Sequence, residues 1–286
     1  MFKMRIKTLV IIAFAVTSLA MAQRQEAVSE TINVQGQSFK MIKVEGGSFK
    51  MGATPEQGLD NSDAKPVHEV TLSSFFIGET EVTQELWEAV MGKNPSFFKG
   101  KNLPVETIIM SEILDFIEKL NTLTGKTFRL PTEAEWEFAA RGGNKSKNTK
   151  YAGSDNAEQV AWFLSNSGKK AIVDEMEVMN AEKNGNKTHK VKSKVCNELG
   201  LYDMSGNVFE FCSDCSLRNI VPYFPHPQTN PKFSKYPDPA GMTDRTVYIM
   251  IRGGSWVRMP MPLAGRVAIR DGSANNATGF RLVMEE

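Results

Sequence analysis

The chain has 286 residues, with 34 Lys and Arg against 33 Asp and Glu, for a formal net charge of +1 at pH 7. Charges of both signs are interspersed, so there is no basic stripe of the kind nucleic-acid binding needs. This length suits one large domain or two small ones and buries a core without disulfide staples.

The first 22 residues read as an export signal. Lys3, Arg5 and Lys7 form a basic start, Leu9 to Val16 an apolar core, and Ala20-Met21-Ala22 a cleavage site before Gln23. The apolar run is too short for a membrane span, so the mature chain is expected to be soluble, not membrane-spanning, and periplasmic or secreted. Cleavage after Ala22 removes three positive charges and leaves a near-neutral chain. Gln23 to about Val34 reads as a tether, and residues 35–286 as one domain.

Phe39 to Met51 alternates loosely around Gly46-Gly47, which predicts strand, tight turn and strand. Val67 to Ile77 alternates again and predicts one further strand. Thr83 is placed to cap a helix that runs through Met91 and closes at Gly92. Ser111 is placed to cap the next, in which Ile113, Phe116, Ile117 and Leu120 recur at helical spacing as a core-facing stripe. The third helix is the best specified locally. Thr132 and Glu135 make a capping box, Trp136, Ala139 and Ala140 supply an apolar face, and Gly142 stops it. Glu133, Glu135 and Glu137 read as structural, the first two favouring the helix dipole.

From Gly142 to Lys194 the sequence is polar, with Ala161-Trp162-Phe163 as its buried anchor. His68, His189 and His226 are isolated in sequence and read as surface or internally satisfied residues. Cys196, Cys212 and Cys215 are an odd set for an oxidising compartment. Cys212 and Cys215 are spaced for a small local disulfide, but a redox or zinc role lacks the surrounding pattern, and the set reads as structural or incidental.

Asn197 to Cys212 runs Asn-Glu-Leu-Gly-Leu-Tyr-Asp-Met-Ser-Gly-Asn-Val-Phe-Glu-Phe-Cys. Asp203 and Glu210 bracket a Ser-Gly-Asn turn whose carbonyls can converge, and hard cations such as calcium take six to eight such oxygens. The same stretch also reads as a polar turn before a half-buried strand, with Glu210 on the wet face.

Three further segments accompany it in order: Gly78-Glu-Thr-Glu-Val-Thr-Gln through Trp87, Arg129-Leu-Pro-Thr-Glu-Ala-Glu-Trp through Gly143, and Arg252-Gly-Gly-Ser-Trp256 with Gly279-Phe-Arg-Leu282. Together the four resemble the formylglycine-generating enzyme (sulfatase-modifying factor) family from roughly Met41 to Val283. The resemblance implies an α+β fold, related to C-type lectin-like folds, with short strands and much irregular structure. Its core should join the third helix, the Leu201 to Phe211 stretch and the Arg252 to Trp256 strand. It also implies a structural calcium ion on the Asp203 side chain, the Gly206 and Val208 carbonyls and the Glu210 carboxylate. Ser255 matches the family's active-site serine, and Arg252, Arg266, Arg270 and Arg281 match framework arginines. With Trp256, the first three of these arginines and Ser255 are the candidate pocket residues, and the pocket is expected to stay concave.

Active members of the family carry two cysteines after the Gly-Gly-Ser motif, which hold copper(I) and oxidise a substrate cysteine. Soft thiolates select that ion, and a two-coordinate site needs both. Here Arg258 to Ala264 reads Arg-Met-Pro-Met-Pro-Leu-Ala, and no cysteine follows Cys215. Met259 and Met261 are thioethers and supply no thiolate charge. The chain is therefore expected to bind no copper and to be a pseudoenzyme, a binding or assembly module for a peptide, protein or glycan. The alternative is an oxidase with an altered metal site, acting on sulfatase-type peptides.

Overall fold

The computed structural model describes residues 27–59, 63–169, 181–216, 223, 225–232 and 247–286, so the expected export signal lies outside the described residues. Its elements in chain order are β1 (Ser29–Val34), β2 (Gln37–Val44), β3 (Gly47–Met51), β4 (His68–Leu72), β5 (Phe75–Gly78), α1 (Gln84–Met91), α2 (Met110–Thr124), β6 (Phe128–Arg129), α3 (Glu133–Ala140) and α4 (Ala157–Val160). There follow β7 (Phe209–Ser216), β8 (Gln228–Thr229), β9 (Tyr248–Arg252), β10 (Val267–Arg270), β11 (Thr278–Gly279) and β12 (Val283–Met284).

Among the described residues the strands form three sheets, ordered β1-β2-β5-β12-β6, β10-β9-β7-β11 and β3-β4-β8. Ser29–Val34, expected in the tether, is instead the edge strand of the first sheet, paired antiparallel with β2. The two-residue turn between them, Gln35-Gly36, has positive φ at both positions (46° and 78°), which matches the right-handed twist of the flanking strands.

The single strand expected over Val67 to Ile77 is two strands in different sheets. Alternation continues through the segment, but Ser73-Ser74 breaks the ladder. The Ser73 amide turns to the Asn230 side chain, and the Ser74 hydroxyl accepts from the Gly46 amide. One alternating pattern thus feeds two sheets, because period-two patterning specifies the buried face and not the pairing partner.

Helix α1 follows expectation: the Thr83 hydroxyl accepts from the Leu86 amide and Gly92 closes the helix at φ 75°. In α2 the expected stripe of Ile113, Phe116, Ile117 and Leu120 is buried, but Ser111 is not the cap. The helix begins two residues earlier, from Ile109, whose amide donates to Glu112 Oε2 at 3.1 Å. The carboxylate half of a capping box suffices there, and a side chain that accepts no hydrogen bond occupies the cap.

Two apolar clusters flank the sheets. In one, Trp87 of α1 stacks on Phe116 of α2 with ring centroids 5.0 Å apart, and Phe280 closes on both edge-on. The other joins α3 through Trp136 and Phe138 to Leu201, Met204, Cys212 and Met250. This second cluster joins the helix and the turn stretch to β9, but the strand expected over Arg252 to Trp256 ends at Arg252, and Trp256 packs in a separate cluster with Leu164 and Ala277. None of Cys196, Cys212 and Cys215 forms a disulfide, and Cys212 and Cys215 are both buried in β7.

Candidate functional site: a buried arginine network under the Gly-Gly-Ser turn

Every residue of α3 is buried, including its three glutamates. The Thr132 hydroxyl accepts from the Glu135 amide and Glu135 Oε2 accepts from the Thr132 amide at 2.8 Å, so the capping box is complete. Glu135 also takes Arg129 bidentately at 2.7 Å on each oxygen. Glu133 and Glu137 emerge one turn apart on the same face, and arginines from the C-terminal half meet them.

Arg266 binds Glu133 through Nε at 2.9 Å and Nη2 at 2.5 Å, and its guanidinium lies 3.9 Å from the Tyr223 ring centre. Arg252 closes on Glu137 through Nη2 and donates through Nη1 to the Gly265 carbonyl at 2.9 Å. Glu137 in turn accepts from Arg141, which reaches Glu56 at 2.9 Å. Burial alone would raise the Glu133 carboxyl, but the charges of Arg266 and Arg252 outweigh it and hold the group below its usual range. The expected structural role of these glutamates stands, but the partner is a set of arginines more than the helix dipole.

Beyond Arg252 the chain turns at Gly253 and Gly254, with φ of 93° and 83°. The Asp203–Val208 turn docks against this bend: the Gly206 amide donates to Gly253 O and the Trp256 amide to Asn207 O, each at 2.8 Å. Gly206 is required at φ 81°, since a Cβ there would sit 2.3 Å from the Trp162 carbonyl oxygen. Trp256 is sealed by Phe98 edge-on at 5.3 Å and donates from Nε1 to the Asn276 carbonyl.

This packing places the expected pocket residues. Arg252, Ser255 and Trp256 are 0%, 1% and 1% exposed. Arg266 is buried with Glu133, while Arg270 lies exposed at the end of β10, apart from the others. Among the described residues, cavities of about 320, 390 and 580 Å³ lie away from these five residues. The Ser255 hydroxyl is buried without a hydrogen-bond partner. Leu263 and Ala264, which fall where a metal-binding thiol was looked for, are core residues.

The expected calcium set lies in the same buried turn. Glu210 is fully buried and on no wet face. Its carboxylate accepts from Arg281 Nε at 2.5 Å, Arg281 Nη2 at 2.6 Å and Trp136 Nε1 at 2.7 Å. The Arg281 guanidinium thus pairs with this carboxylate in the core. The Asp203 carboxyl accepts from the Lys192 amide through Oδ2, and only its Oδ1 is unclaimed. The Gly206 amide donates to Gly253 O and the Val208 amide to Glu81 at 3.1 Å, so the amides of the turn are used within the fold. Among the described residues no three acidic, histidine or cysteine side chains converge for a metal, while the expected set draws on two carboxylates and two carbonyls.

Sequence reasoning missed Glu81. Its carboxylate accepts from the Asn207 side chain at 2.7 Å and the Val208 amide, fixing the turn from the opposite side. Burial first, then the nearby Asp203 and Glu210 charges, push it well above the usual carboxylate range. Its signal was its place inside the Gly78–Gln84 motif, quoted only for resemblance.

Three short sheets wrapped around a fully buried helix, with Arg–Glu clamps from the C-terminal strands, define the formylglycine-generating-enzyme type of α+β scaffold. The Treponema denticola variable protein 1 structure superposes at a TM-score of 0.69 with 29% identity, over 91% of this chain and 99% of that one. Residues 25–286 match the sulfatase-modifying factor enzyme 1-like domain, and the chain belongs to that family. It is 34% identical over 253 residues to the chaperone protein LppX of Paenibacillus barcinonensis, covering 77% of this chain and 79% of that protein. It is also 26% identical over 247 residues to the formylglycine-generating enzyme of Streptomyces coelicolor, covering 71% and 76% respectively.

Proposed function

We propose that this protein is an exported, non-oxidase member of its family that holds a polypeptide segment without turning it over. One observation carries the reading: Arg258 to Ala264 contains no thiol, and no cysteine follows Cys215. Copper(I) chemistry of the family's kind needs two thiolates, and two thioethers without charge do not replace them. The name of the LppX relative, a chaperone protein, favours a polypeptide as the thing held. No helix among the described residues is long and apolar enough to cross a membrane.

The test is mass spectrometry of a Cys-x-Pro-x-Arg peptide incubated with copper-loaded protein in oxygen. The peptide mass should stay unchanged, and dialysed protein should retain no stoichiometric copper(I). An oxygen-dependent mass loss matching conversion of thiol to aldehyde overturns the reading. N-terminal sequencing of the protein recovered from outside the cytoplasm should begin at Gln23.

A further inference from the structure

The largest of the three cavities lies between two segments that the arginine network does not use. One is the stretch 99–103 that follows α1, and the other is 187–190 with Trp162 behind it. At about 580 Å³ it is of the size that encloses a small ligand or a few residues of peptide. Lys99, Lys101, Lys187 and Lys190 line it, and among the described residues no Asp or Glu does. The Lys99 ammonium donates to the Asn94 carbonyl. Lys101, Lys187 and Lys190 are exposed and form no ion pair among the described residues. In a chain whose charges otherwise nearly cancel, four ammonium groups around one concavity focus a positive potential.

Two further features mark the cavity as built. The Thr188 hydroxyl lines it, fully buried, and has no hydrogen-bond partner. Such a group is left unmade at a cost unless something else completes it. Behind it, His189 stacks on the Trp162 indole at 3.7 Å with an interplanar angle of 7°. The ring is anchored by Nε2 to the Ser167 carbonyl at 2.9 Å. Lys194 places its ammonium 4.1 Å from the centre of the same indole and must take the opposite face.

That arrangement decides the ligand class. A saccharide or a nucleobase binds aromatic residues by stacking on an open face, and both faces of Trp162 are covered. What remains on offer is charge and one hydroxyl donor. We infer that this lysine-rimmed cavity binds an acidic peptide segment, with Asp or Glu carboxylates meeting Lys101, Lys187 and Lys190 and the Thr188 hydroxyl. The inference rests on the reading of the protein as a polypeptide-binding module and supplies the chemistry of the polypeptide.

Fluorescence anisotropy with the full mature chain and fluorescein-labelled hexaglutamate tests it, with hexalysine, a heparin tetrasaccharide and inorganic phosphate as further probes. Hexaglutamate should bind and hexalysine should not. The Lys187→Glu, Lys190→Glu double variant should bind at least about tenfold more weakly, since exposed charge reversal leaves the fold in place. Unchanged circular dichroism and melting of that variant confirm this, and Lys187→Arg, Lys190→Arg should restore binding. Raising ionic strength from about 0.01 M to about 1 M shortens the screening length from about 30 Å to about 3 Å and should abolish the signal. Absence of hexaglutamate binding overturns the inference. So does binding that charge reversal leaves unchanged, or displacement of the peptide by heparin tetrasaccharide or phosphate at lower concentration than by unlabelled peptide. The copper assay is independent: thiol oxidation refutes the non-oxidase reading, whereas failure here with a null copper assay refutes the cavity alone.

Discussion

Asp214 offers a test of how the buried network sets stability. It sits in β7 at 1% exposure, with Oδ2 accepting from the Glu133 amide at 2.7 Å and Oδ1 without a partner. Burial, and then the Glu133 charge, push its carboxyl up from 3.8 to about 7. A folded-state value raised above the unfolded one means that the native state holds a proton the unfolded chain releases. Stability is therefore lost as pH rises from about 4 to about 7, and the full cost is present above that. At about 1.4 kcal/mol per pH unit, the ceiling is about 4 kcal/mol. Asp214→Asn keeps an acceptor for the Glu133 amide and cannot ionise. Urea unfolding across this range should show the variant more stable by about 2–4 kcal/mol near pH 8, with the advantage shrinking toward pH 4 at unchanged slope. A difference that stays constant with pH refutes the argument, as does a variant less stable than the parent at pH 8.

Arg281→Met should destabilise by about 3–5 kcal/mol, because it strands the Glu210 carboxylate in the core, and chemical denaturation measures this directly. Melting curves in calcium and in chelator decide whether an ion shares this turn with Arg281, and coincident curves exclude it. A calcium-dependent rise in melting temperature, of the kind native-state binding produces, would support the Asp203 and Glu210 ligand set.

Local devices were legible in the sequence and long-range pairings were not. The α3 capping box and the Thr83 cap involve residues three positions apart, and their chemistry identifies them. The partners of Glu133 and Glu137 lie 133 and 115 residues away, and nothing in a run of glutamates names Arg266 or Arg252. Glu210 shows the same limit: beside Asp203 it looked like half of a cation site, yet Arg281, 71 residues on, claims it. The α2 cap was misplaced because serine attracts the assignment, while the carboxylate of Glu112 performs the task over an isoleucine. Ala161 and Phe163 of the expected anchor are buried, but Trp162 between them is only half-buried, and its role as the covered wall of a charged cavity depends on His189 and Lys194, which fold back from a separate loop.

Residues 278–284 impose an order on how the molecule assembles. Val283 pairs with Ile77 on one side and Arg129 on the other, so β5 and β6 are neighbours only through β12. Thr278 and Gly279 close the other sheet by running parallel to β7, and Phe280 between these strands fills the space against Trp87 and Phe116. Until Thr278 has left the ribosome, neither sheet has its closing strand and the largest aromatic cluster has a hole. Contacts so distant in sequence form slowly. Closure of both sheets therefore depends on this short segment, whose pairings reach back as far as Phe76 and Ile77.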